Sequence, residues 1–252
     1  MISRRRFALA GAALTLLRGR ASRAQSIGDV ETNGVVYHPE VPPKPYAFTD
    51  LGGGYFVFEV CNGDYSYSDD QMHMRNRSEL VSRFRVDYGQ DHWISFARRI
   101  TKLPAGTHDA ILGQIHVPAP HLGPALTLFT NPKGNLAIKL GYKLPLDAVK
   151  NLVVWEGGIA VPNRWEKYVI RFRQGKAGTV QVWRNGRHIV GYRGPVGFIS
   201  EAASSRFQFG VYSAEITALG VVDTCRGVEF ANVRNGRTSL LQFVTSPEPL
   251  RD

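Results

Sequence analysis

Short runs in which apolar and polar residues alternate fill the 252-residue chain from residue 52 onward. A period of two is typical of strands, because successive side chains point to opposite faces of a sheet. Asn185-Gly186 separates two of the runs and indicates a tight hairpin, since both positions favour positive φ. The runs lie at 55–60, 77–88, 93–100, 111–117, 125–129, 136–143, 168–173, 179–183, 188–192, 207–212 and 228–233.

Helical periodicity is almost absent, and 146–152 is the one candidate for a short helix. Many short strands without alternating helices favour a sandwich over a parallel α/β sheet. The sequence therefore predicts an all-β protein folded as a single β-jelly-roll sandwich with a concave sheet. No uninterrupted apolar run reaches the length of a membrane-spanning helix, so we expect no membrane partner.

The N-terminus has the three regions of an export signal. Arginines at 4–6 precede the apolar run 8–17, and Ser22-Arg23-Ala24 gives a small-x-small cleavage pattern. We predict a twin-arginine-type signal peptide over 1–24 and a periplasmic or secreted protein; a frayed basic terminus is the alternative. Removing this segment lowers the net charge from +10 to +4, so total charge does not indicate a nucleic-acid partner.

The next segment, 25–50, contains prolines at 39, 42, 43 and 45, too many for a helix or a sheet interior. We expect it to form a proline-rich N-terminal arm lying on the domain. The jelly-roll domain is predicted at 51–245, followed by a C-terminal tail at 246–252.

Cys61 and Cys225 are the only cysteines, and both lie near strand-like runs. Export would permit a disulfide between them, and two separate buried thiols are the alternative. Neither cysteine has a partner at metal-ligand spacing, so we predict no metal site.

Three predicted strands carry polar side chains on one face and apolar side chains on the other. An amide and an imidazole on an open sheet face can hold a carboxylate and transfer a proton. We expect the three polar faces to form one surface. The residues sharing a face are Arg77 with Glu79, Gln114 with His116, and Gln208 with Tyr212.

Further basic residues alternate with apolar ones on other strands, as Lys139 and Lys143 do in 136–143. A solvated outer face explains most such residues. A concave sheet lined by a subset of them would suit an acidic chain molecule. We therefore regard Arg75, Lys139 and Lys143 as candidate substrate contacts.

A polysaccharide of uronic acids can be cleaved without water, by removing the proton next to the carboxylate and expelling the oxygen on the neighbouring carbon. That proton is weakly acidic because the carboxylate is already charged, so an enzyme must first neutralise this charge. A base then takes the proton, and an acid meets the leaving oxygen. Arg77, Gln114, His116 and Tyr212 supply such a set, with nearby cations expected to favour the ionised phenol of Tyr212.

Three segments resemble, in order, the signature segments of the jelly-roll alginate lyases. Two further stretches, 164–172 and 178–186, are more similar to the related heparin-lyase and glucuronan-lyase group, and the likeness spans roughly 52–235. Each short segment alone is weak evidence for a family, but three segments in the right order are a more specific sign. The three segments are Arg77-Ser78-Glu79-Leu80, Gln114-Ile115-His116 and Phe207-Gln208-Phe209-Gly210-Val211-Tyr212.

The resemblance implies a polysaccharide lyase with a concave substrate-binding sheet. It implies that Arg77, Gln114 and His116 neutralise the carboxylate. His116 would act as base for one sugar epimer, and Tyr212 as acid or as both acid and base. Glu79 is expected to orient Arg77. Alginate is the first-choice substrate, with glucuronan or a heparin-type chain next.

The chain departs from the alginate lyase pattern at two positions, where Arg206 and Gln208 replace the usual tyrosine and lysine. We expect both to contact substrate, so the sequence leaves the identity of the uronate open. Elimination needs no metal when side chains neutralise the carboxylate, and we predict no essential cofactor. We also expect a monomer.

A non-catalytic carbohydrate-binding jelly roll is the main alternative, since the same sandwich also serves binding proteins. A glycoside hydrolase is a second alternative, but it normally needs two carboxylates at a set separation. The sequence shows no short strand with such a pair; Asp147, Glu156 and Glu166 are unpaired candidates.

Overall fold

The structure is a computed structural model that describes residues 27–103, 110–117, 123–145, 147–199, 203–215 and 224–244. The predicted signal peptide at 1–24 and C-terminal tail at 246–252 lie outside these residues. Within them are one short helix, α1 (Ser68–Met72), and a 3-10 turn at Leu241–Phe243. The strands are β1 (Val30–Thr32), β2 (Val35–Glu40), β3 (Phe48–Asp50), β4 (Tyr55–Val60), β5 (Arg75–Ser82), β6 (Asp91–Lys102), β7 (Ala110–His116), β8 (Pro124–Thr130), β9 (Asn135–Lys143), β10 (Lys150–Ile159), β11 (Trp165–Arg173), β12 (Gly175–Arg184), β13 (Arg187–Phe198), β14 (Arg206–Ala214) and β15 (Arg226–Gly236).

The strands form two layers around one core, which confirms the predicted all-β jelly-roll sandwich. The front sheet has the order β1-β2-β5-β14-β7-β8-β9, and β10 also pairs with β9. The back sheet has the order β13-β12-β11-β6-β15-β4-β3. All pairs are antiparallel except the last residues of β13, which run parallel to β9 and join the two layers. Neither helix of the described chain is long and apolar enough to span a membrane.

Strand β14 shows how alternation builds the core and an exposed face together. Phe207, Phe209 and Val211 are fully buried between the sheets. The Phe209 ring lies 5.8 Å from that of Phe56 on β4 and 5.0 Å from that of Phe230 on β15. Burying each such side chain contributes roughly 1.5–3 kcal/mol. The intervening residues of β14 therefore face outward.

The predicted hairpin at Asn185-Gly186 is confirmed. The two residues have φ of 49° and 80° and connect β12 to β13. These positive φ values match the twist of the flanking strands.

Cys61 and Cys225 form a disulfide, which resolves the alternative left open by the sequence. The bond joins the end of β4 to the start of β15, where Val60 pairs with Arg226. Because it closes a separation of 164 residues, loop entropy alone gives a stabilisation of about 5 kcal/mol.

The proline-rich segment is not merely an arm, because it contributes three strands. β2 pairs with β5 from Tyr37 to Glu40, with Pro39 opposite Leu80. On the other side of β2, pairing with β1 ends at Tyr37. Pro39 therefore lies where one edge of the strand is open, and its missing N–H costs no ladder hydrogen bond.

The short helix predicted at 146–152 is also wrong. Strand β10 begins at Lys150, which pairs with Tyr142 of β9, and 147–149 have no regular structure. Leu146 lies outside the described residues. Cross-strand pairing with β9 thus overrides the weak local helical pattern.

Gly210 allows β14 to approach β5 closely. It has φ of 141°, and an added Cβ would collide with the Ser78 carbonyl oxygen. The pairing of β14 with β7 shifts register between Phe209 and Tyr212. Glycine is therefore required beside Glu79, the residue that pairs with it on β5.

We expect Gly210→Ala to lower the free energy of unfolding by about 2 kcal/mol or more, because both the backbone angle and the contact with β5 become strained. Urea denaturation measures this loss. The matched control is Gly158→Ala on β10, where an added Cβ meets nothing within 4 Å. Equal stability of the two variants would contradict the prediction.

Candidate active site

Strands β5, β14 and β7 are adjacent in the front sheet, so the three polar faces predicted from the sequence form one surface. The outward residues of β14 lie opposite polar residues on both neighbours. Because adjacent strands are about 4.8 Å apart, these side chains can surround one sugar unit. The paired residues are Tyr212 with Arg77, Gln208 with Gln114, and Arg206 with His116.

A cleft of about 400 Å³ opens on this surface. The four predicted catalytic residues and two of the predicted substrate contacts line it. It is lined by Glu40, Tyr67, Arg77, Ile111, Gln114, His116, Gly123, Pro124, Arg206, Gln208 and Tyr212.

The remaining predicted contacts lie in different places. Arg75 and Lys139 line a neighbouring cavity of about 230 Å³ that shares Tyr212 with the cleft. Glu79 is fully buried beneath the surface. Lys143, on β9, is not among the described residues that line either cavity. The cleft and the neighbouring cavity therefore form one groove that extends towards Lys139. In the described chain, Lys143 is not part of its lining.

The Arg77 guanidinium contacts three carboxylates. Its Nη1 lies 3.0 Å from Glu79 Oε2 and 3.2 Å from Glu40 Oε2. Its Nη2 and Nε donate to Asp70 at 2.9 and 3.0 Å. The positive charge of Arg77 is therefore compensated by the chain itself.

Tyr212 packs against the same guanidinium, with Arg77 Cζ 4.2 Å from the ring centroid. Burial nevertheless raises the pKa of Tyr212 above its usual value, and the charge of Arg77 offsets this only in part. Asp70 also raises this pKa. The expectation that nearby cations favour the ionised phenol is therefore wrong for the free protein, because burial outweighs the charge of Arg77. Tyr212 is protonated at neutral pH.

Glu79 lies beneath Arg77 and Tyr212, and its ionised carboxylate can only accept hydrogen bonds. It accepts hydrogen bonds from Arg77 and, at 2.9 Å, from Gln114 Nε2. Burial raises the pKa of Glu79 to about 7, against the opposing charge of Arg77, and Glu40 raises it further. Since three carboxylates share one guanidinium, Glu79 titrates near neutral pH.

A line of amides connects Glu79 to Arg206. The Gln208 amide lies between Gln114 and Arg206. With its oxygen towards Gln114, it accepts from Gln114 Nε2 at 2.9 Å. With the amide reversed, its oxygen would instead accept from Arg206 Nε and Nη2, both at 3.2 Å. Gln208 therefore links the two side chains by position.

Arg206 differs from Arg77 in its charge balance. No carboxylate in the described parts of the chain lies within ion-pair distance of its guanidinium. Burial lowers the pKa of Arg206, and Glu40 counteracts this, yet an arginine remains charged at neutral pH. Its positive charge is available to a ligand in the cleft.

His116 is a neutral imidazole. Burial lowers its pKa to about 4, and the charges of Arg206 and Arg77 lower it further. Its Nδ1 is buried without a hydrogen-bond partner among the described residues. A neutral imidazole between two guanidinium groups can accept a proton once an anion enters the cleft.

Sequence reasoning missed Glu40, Tyr67 and Asp70. Glu40 ends β2 in the segment interpreted as an arm, and Asp70 lies in α1, five residues long. Tyr67 precedes α1, and burial with the nearby Glu40 raises its pKa. None belongs to a polar alternating run, so only tertiary structure brings them to the cleft.

In the described chain, one group of side chains has donor atoms close enough to ligate a metal: Glu59, Cys61 and Cys225. Its two sulfurs are joined in the disulfide and are not thiolate ligands.

The sandwich fold is similar to those of several solved lyase structures. A glucuronan lyase from the fungus Trichoderma reesei has a TM-score of 0.59 at 14% identity, over 83% of this chain and 90% of the other. The alginate lyases of Pseudomonas aeruginosa and Klebsiella pneumoniae have TM-scores of 0.54 and 0.56 at 18% and 16% identity. They cover 77% and 78% of this chain and 87% and 86% of theirs. At these identities the likeness shows the fold.

A polysaccharide lyase family model matches residues 59–228. The chain therefore belongs to the polysaccharide lyase family and is an enzyme of that class. A search of curated proteins finds no match.

The raised pKa of Glu79 predicts a pH-dependent stability. The folded protein holds this proton to about pH 7, whereas an unfolded glutamate loses it near pH 4.3. The stabilisation is therefore complete below the unfolded pKa and is lost as the pH rises through about 7. Relative to Glu79→Gln, the wild type should lose stability across this range. Urea midpoints at several pH values measure the difference, with exposed Glu31→Gln as control. A pH-independent difference would contradict the assigned protonation.

Proposed function

We propose that this enzyme cleaves a uronic-acid-containing polysaccharide by β-elimination and leaves an unsaturated uronide at the new chain end. Alginate is the first candidate, with glucuronan or a heparin-type chain next. One observation carries this proposal: the cleft brings together a guanidinium with no ion-pair partner among the described residues, a neutral imidazole and a protonated phenol.

Charge neutralisation is the first requirement of the reaction. Removing the proton beside a carboxylate builds a second negative charge on the same group, so donors aimed at that group stabilise the transition state more than the ground state. Arg206, Gln114 and His116 line the cleft as such donors. The low pKa of His116 rises when a carboxylate binds, because an opposite charge favours the imidazolium.

Arg77 and Arg206 then have different roles. Arg77 already contacts three carboxylates, so it contributes less charge to a bound uronate and holds the Tyr212 ring in place. Arg206 supplies the uncompensated charge. The guanidinium of Arg206 replaces the positive charge of the lysine that the alginate lyase pattern carries two residues later, at the position of Gln208.

The base depends on the sugar. In guluronate the proton and the leaving oxygen lie on opposite faces of the ring, which suits His116 as base and Tyr212 as acid. In mannuronate and glucuronate they lie on one face, which suits Tyr212 in both roles. A protonated Tyr212 is ready to donate to the leaving oxygen.

The comparisons support an acidic sugar but leave its identity to experiment. The relatives are described as glucuronan and alginate lyases, and both substrates are chains of uronic acids. We also propose an exported, monomeric enzyme without an essential cofactor. The disulfide supports export, since such bonds persist in oxidising compartments.

Tyr212→Phe tests the proposal. The mature protein is incubated with alginate, glucuronan and heparin, and ultraviolet absorbance reports the unsaturated uronide. We expect the wild type to generate the signal on at least one of these substrates. The variant should lose it by at least about 100-fold while folding normally, since removing general acid or base catalysis costs about 10²–10⁴. Near-wild-type turnover of the variant would remove Tyr212 from the mechanism.

Arg206→Gln tests the source of the neutralising charge. We expect kcat/KM to fall roughly 10- to 100-fold, the loss of one charged hydrogen bond. Arg206→Lys should recover part of this loss. Exposed Arg85, outside the cleft lining, provides the control Arg85→Gln. Equal kinetics for Arg206→Gln and Arg85→Gln would exclude the role assigned to Arg206.

A further inference from the structure

A third polar cavity, of about 480 Å³, lies between β10 and the β12–β13 hairpin. We call it the end cavity. Trp155 of β10, Arg184 of β12, and Arg187 and His188 of β13 line it together with Arg164, which precedes β11. It shares no lining residue with the catalytic cleft.

Positive charge at the end cavity exceeds negative charge. The Glu166 carboxylate is shared by Arg184, by Arg98 at 3.4 Å and by Arg164 at 3.5 Å. Arg98 is fully buried and does not line the cavity, whereas Arg164, Arg184 and the exposed Arg187 supply the three guanidinium groups of its lining. Among the described residues, Glu166 is the one carboxylate within ion-pair distance of any of these four arginines.

This single carboxylate is ionised. Burial by itself would raise the pKa of Glu166, but hydrogen bonding from Arg184 and the charge of Arg98 hold it below its usual range. The lining therefore carries three guanidinium charges, and the one negative charge beside it, on Glu166, is shared with the buried Arg98. In addition, the Nε atoms of Arg98 and Arg184 are buried without hydrogen-bond partners in the described chain.

Such an excess is costly in a partly buried place, because each charge loses water without gaining a full partner. Within the lining, the Arg184 side chain is only 17% exposed. A carboxylate-bearing ligand would complete the charge balance, and guanidinium groups bind carboxylates with paired hydrogen bonds.

An indole beside the arginines narrows the choice of ligand. Trp155 is half-buried, and Arg184 Cζ lies 5.5 Å from its ring centroid. A flat aromatic surface presents a large apolar area to the face of a sugar ring, while the arginines hold its carboxylate. A simple inorganic anion would use the charges but not the indole.

We propose that the end cavity is a secondary binding site for a uronate unit of an acidic polysaccharide, separate from the catalytic cleft. The identity of this ligand rests on the proposed function. A chain held at the end cavity raises the effective concentration of its other units near the cleft, so long chains are retained more strongly than short ones.

Binding is tested in the catalytically impaired Tyr212→Phe background, by electrophoresis through gels containing alginate, glucuronan or a neutral glucan. The test pair is Arg164→Gln with Arg187→Gln. The control pair, Lys176→Gln with Arg193→Gln, removes the same charge from exposed positions on β12 and β13 outside the cavity lining. We expect about tenfold weaker retention by an acidic gel for the test pair only. Equal retention of the two pairs would overturn the proposal.

Turnover gives an independent measurement. On long chains the test pair in the otherwise wild-type enzyme should raise KM several-fold without changing kcat, whereas on short oligosaccharides both constants should stay unchanged. The control pair should match the wild type on both substrates. An equal KM increase on short and long chains would contradict a separate site.

The proposed reaction and the proposed binding site at the end cavity are contradicted by different experimental results. Loss of gel retention in the test pair alone supports the end cavity even if no unsaturated product forms, in which case only the proposed reaction fails. Product formation with identical retention of test and control pairs supports the reaction and overturns the end cavity.

Discussion

The candidate active site depends on the position of β14 between β5 and β7. This strand presents Phe207, Phe209 and Val211 to the core and its alternate residues to the cleft. Packing of the buried rings against the back sheet fixes the height and register of the polar face. The close approach to β5 at Gly210 then places the Tyr212 ring over Arg77. The arrangement of the reacting groups therefore follows from core packing.

Charge in the cleft is arranged in two parts. Around Arg77, three carboxylates compensate one guanidinium. Burial raises the pKa of Tyr212 and of Glu79 there, and neighbouring carboxylates add to both shifts. Around Arg206, no ion-pair partner lies among the described residues, and burial together with this positive charge lowers the pKa of His116. An acidic sugar entering the cleft would meet this second part. Elimination requires the same division, since one group must neutralise the substrate while another holds a proton for the leaving oxygen.

Much of the fold follows from local patterns in the sequence. Alternation in β14 and the Asn185-Gly186 turn predict a core strand and a hairpin that the structure confirms. Alternation also predicts which side chains share the cleft, because a strand face is fixed by its period. Pro39 is interpreted from the sequence as part of an arm, but it lies within strand β2. Whether a proline disrupts a strand depends on whether a neighbouring strand needs its N–H at that point.

The electrostatics of the site do not follow from local patterns. Glu40 lies 37 residues from Arg77, and Asp70, seven residues away, contacts it from α1. Burial, which only the packed structure shows, reverses the expected direction of the Tyr212 pKa, and Asp70 adds to this shift. The excess of arginine at the end cavity likewise becomes visible only when β10, β11, β12 and β13 are assembled around Glu166. Long-range charge balance needs the tertiary structure.

The central claim is that the cleft breaks a glycosidic bond by elimination, with no water added. Cleavage of alginate and glucuronan in water enriched in heavy oxygen, followed by mass spectrometry of the products, measures this directly. We predict that the fragment with the new non-reducing end is lighter by one water than its hydrolysis counterpart, and that bond cleavage adds no heavy oxygen to either fragment. Incorporation of heavy oxygen at the cleaved bond would show hydrolysis and contradict the account.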